Sequence, residues 1–302
     1  MKARVVWVLL AVIWGSTWLF IKLGLRDLPP VGFAATRFVL ASFILLAIVA
    51  ARRRPLPRAG RDWALILVTG ALAFGFNYGL LFWGEQHISS GLAALLQATI
   101  PVFGLLFAHL HLPGERLSAA RLAGVGLGVA GVGIIFSNQL QVAGEMALWG
   151  SAAIVAGAVC VAYANVLVKA RGGHLDPALL AAGQMSCGLV PLTAYAFAFE
   201  GNPADFNWTP LAVGSLLYLT VVGSVVAFLL YYWLVRHMDV TKTMLIALVT
   251  PLFAVLLGML VLGEQLTWRT LAGGALIMSG IALVVLRRGR KKVSGSEFRV
   301  PS

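Results

Sequence analysis

Gln97-Ala98-Thr99-Ile100-Pro101-Val102-Phe103 returns 150 residues later as Ala247-Leu248-Val249-Thr250-Pro251-Leu252-Phe253. Trp83 and His87 recur at the same spacing as Trp233 and His237. Gly114-Glu115-Arg116-Leu117 comes back as Gly263-Glu264-Gln265-Leu266, and Leu122-Ala123-Gly124 as Leu271-Ala272-Gly273. Both copies of the proline motif lie inside apolar runs of about twenty residues, the length that crosses a ~30 Å hydrocarbon layer as a helix. The chain is therefore a duplicated membrane protein, and the number of helices per copy decides how the copies are related.

Composition supports that reading. Of 302 residues, 60% are hydrophobic and 11% charged, whereas a soluble domain carries about a quarter charged residues. Alternation along the apolar runs is weak, which argues against a β-barrel. The opening Met1-Lys2-Ala3-Arg4 precedes an apolar stretch too long for a signal peptide and without a small-residue cleavage site, so it reads as the first span. The apolar runs predict ten helices, at roughly 5–24, 31–50, 62–83, 88–110, 118–137, 145–169, 177–199, 209–235, 240–262 and 269–286.

Loop charges then set orientation. With the amino terminus in the cytoplasm, nineteen Lys and Arg residues fall inside, against Arg26 and Arg269 outside. Lys22 and Arg37 lie within spans. Such a bias is the positive-inside pattern, with both termini cytoplasmic. The net charge of +12 thus reports topology and contact with anionic lipid, and nucleic acid is not an expected partner. Five helices per copy is an odd number, so the second copy starts on the opposite face. The expected fold is an all-α polytopic membrane protein, ten transmembrane helices as two inverted five-helix repeats. The first repeat covers 1–140, the second 141–290, and a cytoplasmic tail 291–302, of which Ser294-Gly295-Ser296-Glu297-Phe298 reads as a cloning remnant. Inverted repeats around a central site are the plan of a secondary transporter. Because the duplication supplies both halves, a monomer suffices.

In order and in duplicate, these features resemble the EamA-domain exporters of the drug/metabolite transporter superfamily. The resemblance rests on Trp14-Gly15-Ser16-Thr17-Trp18 in helix one, Arg37-Phe38 in helix two, and the repeated Pro-then-Gly-Glu ends of helices four and nine. Within the superfamily the chain looks most like the bacterial YddG-type amino-acid exporters. The resemblance implies an inner-membrane carrier working by alternating access, with a cavity built from helices one, three, four, six, eight and nine. Helices five and ten would stand aside as a pair. Gly124, Gly128, Gly273, Gly274 and Gly280 fit that role, since small residues let helix backbones approach in lipid.

Residue chemistry narrows the cargo. Pro101 and Pro251 each remove an N–H and free the carbonyl four residues back, at Gln97 and Ala247. At membrane depth that carbonyl needs a partner, and Gln97, Thr99 and Thr250 are at hand. A hinge at Pro101, Pro251 and Thr250 is expected. Polar side chains inside spans face the bundle interior or join helices, which makes Asn77, Tyr78, Gln97, Tyr163, Asn165 and Gln184 candidate cavity residues. Trp14 and Trp18 share a face of helix one and suit an apolar wall, with helix packing as the rival reading. Trp7 and the Tyr231-Tyr232-Trp233 run read as interfacial anchors. Arg37 either binds a carboxylate through two donors or snorkels to the surface. Lys22 and Lys169 read as snorkelling residues.

What is missing also counts. All eleven acidic residues map to a loop or a helix end, so no buried carboxylate is expected to exchange a proton for a cationic drug. Glu115 and Glu264, at equivalent turns, are expected to cap a helix or pair with loop arginines. His109 and His111 point to different helical faces, and neither a metal nor another cofactor is expected. Cys160 and Cys187 read as packing residues. The expected function is export of small neutral or zwitterionic metabolites, foremost amino acids. Drugs, nucleobases or sugars in the same fold are the alternative, and a membrane-embedded enzyme lacks the convergent acid, histidine or serine set it would need. Where the repeats differ, as at Gln97 against Ala247, Arg37 against Gln184 and Trp18 against Asn165, the substrate is expected to be read.

Overall fold

The computed structural model describes residues 2–52, 56–57, 59–112, 118–142, 144–238, 243 and 245–293. Glu115 with its Gly-Glu turn, Asp239, Lys242 and the tail beyond 293 lie outside the described residues. Among those described, every regular element is helical. The spans are α1 (Lys2–Gly24), α2 (Pro30–Ala51), α3 (Gly60–His87), α4 (Ser90–His111), α5 (Ala119–Val142), α6 (Glu145–Arg171) and α7 (Pro177–Glu200). They continue with α8 (Pro210–Leu217, Tyr218–Val226 and Ala227–His237), α9 (Ile246–Leu262) and α10 (Trp268–Val293). Eight of them are long and apolar enough to cross a membrane by themselves, and α9 and the Trp268–Leu283 stretch of α10 are shorter apolar helices. Phe43 and Phe199 are each 75% exposed and Leu260 73%, an outward apolar surface suited to acyl chains.

Three helices are not regular throughout. Hydrogen bonds widen to the i→i+5 pattern over Ala71–Phe76 in α3, Ala196–Glu200 in α7 and Tyr218–Val226 in α8. The segments in α3 and α8 occupy corresponding places in the two copies, since Ala71–Phe76 shifted by the repeat spacing falls on 221–226. Such widening leaves carbonyls without their regular helical partner and recurs at functional sites.

The two prolines behave differently. A single kinked helix is the sequence expectation for each. Instead α4 breaks at Ala98–Thr99 and restarts as Ile100–His111, with Pro101 in the first turn of the new segment, where a missing N–H costs nothing. The Thr99 hydroxyl donates to the Leu96 carbonyl at 2.6 Å, closing the break. Pro251 lies inside the continuous helix α9, and Thr250 donates to the Ile246 carbonyl at 2.9 Å. Neither threonine serves the carbonyl freed by its proline.

α5 and α10 pack mainly on each other. A Cβ on Gly131 would lie 2.5 Å from the Gly273 carbonyl oxygen, and one on Gly280 would lie 2.5 Å from that of Gly124. Backbone approaches this close exclude any side chain. Gly131→Leu is expected to cost about 1–3 kcal/mol by overpacking and to lower the melting temperature of the purified protein. Gly126→Leu, where nothing stands within 4 Å, should leave melting unchanged.

Candidate substrate cavity

Arg37 does not reach the surface. It is 3% exposed, and its Nε and Nη2 both donate to Ser224 Oγ of α8 at 3.2 Å. Ser224 in turn donates to the Leu219 carbonyl at 3.0 Å, within the widened segment of α8. The local irregularity thus supplies the acceptor that orients the serine. The guanidinium carbon lies 5.4 Å from the Tyr78 ring centre and 5.1 Å from that of Phe38. Nη1 is buried and has no hydrogen-bond partner. A buried cation that meets two rings and one hydroxyl retains capacity for an anion.

From Tyr78 a line of rings crosses the bundle. Tyr78 stacks on Phe74 at 5.9 Å and meets Phe38 edge-on at 4.6 Å. Phe74 approaches Phe228 at 6.4 Å, Phe228 approaches Trp14 at 6.3 Å, and Trp14 meets Tyr231 at 5.5 Å. Tyr78, Trp14, Phe228 and Tyr231 are half-buried. Tyr231 therefore belongs to this interior wall and not to an interfacial belt, because α8 turns it toward α1. Nearby, Tyr218 stacks on Phe20 at 3.8 Å and donates to Ser16 at 2.6 Å, since the Ser16 hydroxyl is itself directed to the Ile13 carbonyl.

Other expected cavity residues go elsewhere. Gln97 Nε2 donates to Asn77 Oδ1 at 2.8 Å, tying α4 to α3, while Asn77 Nδ2 donates to the Ala73 carbonyl at 3.2 Å. Gln97 Oε1 is left buried and unpartnered. Gly157 of α6 presses on this pair, since a Cβ there would stand 2.9 Å from Asn77 Oδ1. Gln184 donates to Thr69 at 2.8 Å and joins α7 to α3. Trp18 is 8% exposed and packed into the core. Tyr163 meets Phe107 and His111 near the carboxyl end of α4, and Asn165 is exposed. Arg37, Tyr78 and Trp14 are thus brought to one wall, whereas the other candidates are not.

At the end of the bundle where α3 passes to α4, carboxylates and a lysine close helix termini across the fold. Glu264, just beyond α9, accepts from Ser90 N at 2.7 Å, Ser90 Oγ at 3.0 Å and Gly91 N at 3.1 Å. It caps α4 of the other copy and not the helix that follows it. Glu200 accepts from Val31 N at 3.0 Å and Gly32 N at 2.6 Å at the start of α2. Lys22 does not snorkel: its Nζ donates at 2.6 Å to the carbonyls of both Glu85 and Ile88. Unpaired N–H groups at one helix end and unpaired carbonyls at the other explain the choice of charge at each. Glu85 corrects the expectation about acids. Although it stands in the last turn of α3, it is 0% exposed and neither carboxyl oxygen has a partner. At the opposite end, His174 pairs with Asp62 at 3.1 Å.

Comparison with known proteins gives a consistent answer. The profile of the EamA-like transporter family matches twice, over residues 2–137 and 148–286. The uncharacterized transporter YoaV of Bacillus subtilis is 29% identical over 93% of this chain and 96% of its own length. The uncharacterized inner membrane transporter YedA of Escherichia coli K12 is 32% identical over 92% of this chain and 88% of its own. A probable terminal-alkyne amino-acid exporter of Streptantibioticus cattleyicolor is 31% identical over 98% of this chain and 99% of its own. A crystal structure at 21% identity superposes with a TM-score of 0.64 over 96% of this chain and 99% of that one, which establishes the shared fold.

Proposed function

The chain belongs to the EamA-like transporter family of the drug/metabolite transporter superfamily, and from that premise we propose that it exports amino acids by alternating access. The observation that carries the cargo class is Arg37. A buried guanidinium with an unpartnered nitrogen beside two aromatic rings suits an α-carboxylate, which it can hold through two donors. The aromatic wall running through Phe74, Phe228 and Trp14 suits the apolar part of a side chain. A phosphorylated cargo would want several cations at this level, and Arg37 is the one strongly basic residue deep inside a span. The amino-acid exporter among the relatives supports the same class.

In this reading the two copies are inverted, both termini face the cytoplasm, and a single chain forms the carrier. The inverted pair lets one copy open as the other closes around the shared cavity. Pro101 and the break at Ala98–Thr99 supply one hinge. Pro251 and Thr250 supply the other within a helix that stays continuous.

The test is uptake into proteoliposomes with labelled amino acids, nucleobases and cationic drugs offered side by side. Amino acids are expected to move, and transport of cationic drugs without amino acids would refute the cargo class. Tyr78→Ala should raise the half-saturating amino-acid concentration about five- to tenfold through loss of ring contact worth about 1 kcal/mol. Tyr78→Phe should keep most of the affinity.

A further inference from the structure

Glu85 is a fully buried carboxyl group with no hydrogen bond on either oxygen, and it stands in the last turn of α3, where α3 passes to α4. Its electrostatic neighbours come from several elements: Lys22 of α1, Glu264 beyond α9 and Arg37 of α2. Each already has partners of its own. Lys22 directs its protons to main-chain carbonyls, including that of Glu85 itself. Glu264 holds the start of α4, and Arg37 holds Ser224. His87, on the same helix, stands edge-on to Trp83 at 4.8 Å. From α6, Gly150 and Ile154 pack against Gly84, next to Glu85, and α6 has no charged residue between Glu145 and Lys169.

An ionised carboxylate in such a place would have lost its water and gained no hydrogen bond, which costs far more than burying the neutral acid. Water is nevertheless close. A cavity of about 280 Å³, lined by Lys22, Leu25, Arg26, Gln86, Leu262 and Glu264, begins at the same lysine. Separation of α1 and α9 from α3 and α4 would withdraw Lys22 from the carbonyls and Glu264 from Ser90, and would join Glu85 to this cavity.

We propose that Glu85 is a proton-binding gate at this end of the carrier, protonated while this end is shut and ionised when it opens. On opening, the carboxylic O–H bond breaks, the proton passes to water at that face, and the carboxylate pairs with the released Lys22. Since only the open state ionises in this scheme, acid favours closure and alkali favours opening, by up to tenfold in population per pH unit. A proton taken up at this face shuts the carrier there and is given back to the same face on opening, so Glu85 sets the open population by local pH and carries no proton across the membrane. The proposal rests on the chain being a carrier, but its test needs no cargo and stands apart from the choice of substrate.

Purified full-length protein in nanodiscs would be titrated by infrared spectroscopy for the carboxylic-acid C=O stretch. In parallel, spin labels at Gln86 and Gln265, both exposed, would report the width of this end by pulsed dipolar distances, with Cys160 and Cys187 replaced. The wild type is expected to show a protonated-carboxyl band that Glu85→Gln removes, and a label distance that lengthens as pH rises. Glu85→Gln should keep the short distance at every pH. A wild-type band unchanged in Glu85→Gln, or the same pH response in both, would overturn the proposal. Should Glu85→Gln fail to fold, Glu85→Asp must shift both the band and the midpoint of opening, and an unmoved midpoint refutes the idea equally.

Discussion

Arg37→Met is expected to reduce amino-acid uptake into proteoliposomes by about 100-fold while leaving the fold intact. Hydrogen bonds to a charged group contribute about 1.5–3 kcal/mol, so loss of a paired contact with a carboxylate corresponds to roughly one to two orders of magnitude in affinity. Stability should move the other way. Arg37 is 3% exposed and pairs with a neutral serine, not a carboxylate, and replacing a buried charge by an apolar chain of similar volume is often neutral or stabilising. Melting temperature should therefore hold or rise as transport falls. Arg37→Lys keeps the charge but loses the planar pair of donors, and should recover only a minor part of the rate. Ser224→Ala removes the hydroxyl that orients the guanidinium and should cost about tenfold. Uptake that survives Arg37→Met unchanged would end the carboxylate assignment.

Glu264→Ala is expected to be the most destabilising substitution outside the apolar core. Its carboxylate accepts three hydrogen bonds, two from the first N–H groups of α4, and the partial positive charge of that helix end faces it. Losing these charge-assisted bonds should cost about 2–4 kcal/mol, read as a lower melting temperature. In the proposed cycle this contact exists only while this end is shut, so the loss is unequal between the two states. A cysteine placed at Ile88, buried in the closed form, should react with a thiol reagent about tenfold faster in Glu264→Ala, since 1.4 kcal/mol of differential destabilisation shifts a two-state population by that factor. An unchanged reaction rate beside a lowered melting temperature would make Glu264 a cap and nothing more.

Much of the fold was legible along the chain because bilayer length and helix rise set a period that local composition must meet. The ten apolar runs follow from it; of the glycines, Gly124, Gly273 and Gly280 lie between α5 and α10, whereas Gly128 and Gly274 come closest to Val102 and Leu95 of α4. The boundaries of the runs moved where polar residues end a helix: α3 runs on to His87 because its last carbonyls find Lys22, which an apolar window does not weigh. The break in α4 is not legible along the chain, because the pattern around Pro101 is shared with Pro251, yet only α4 breaks. The cavity was the least legible part. Ser224 lies far from Arg37 in sequence and is one serine among many, and Tyr231 reads as well for an interface as for a cavity. Asn77, Gln97 and Gln184 suit a cavity or a helix joint equally along the chain, and in the fold they join helices, Gln97 to Asn77 and Gln184 to Thr69. Glu85 stands at a helix end along the chain, yet packing around it leaves it 0% exposed, so nearness to a helix end is not nearness to water.

By itself, the amino-acid sequence determined that the chain is a duplicated bundle of membrane helices and that it is a transporter of the EamA type. Those properties depend on hydrophobic length and on residues spaced at a repeat, quantities counted along one dimension. Only the tertiary structure decided which polar groups remain without a partner, among them the outer nitrogen of Arg37, Gln97 Oε1 and both oxygens of Glu85. Whether a donor or acceptor is satisfied depends on side chains arriving from other helices, here α1, α8 and the end of α9. Inside a bilayer, where water cannot repair an unmet hydrogen bond, those few unsatisfied groups mark where cargo and proton are to be sought.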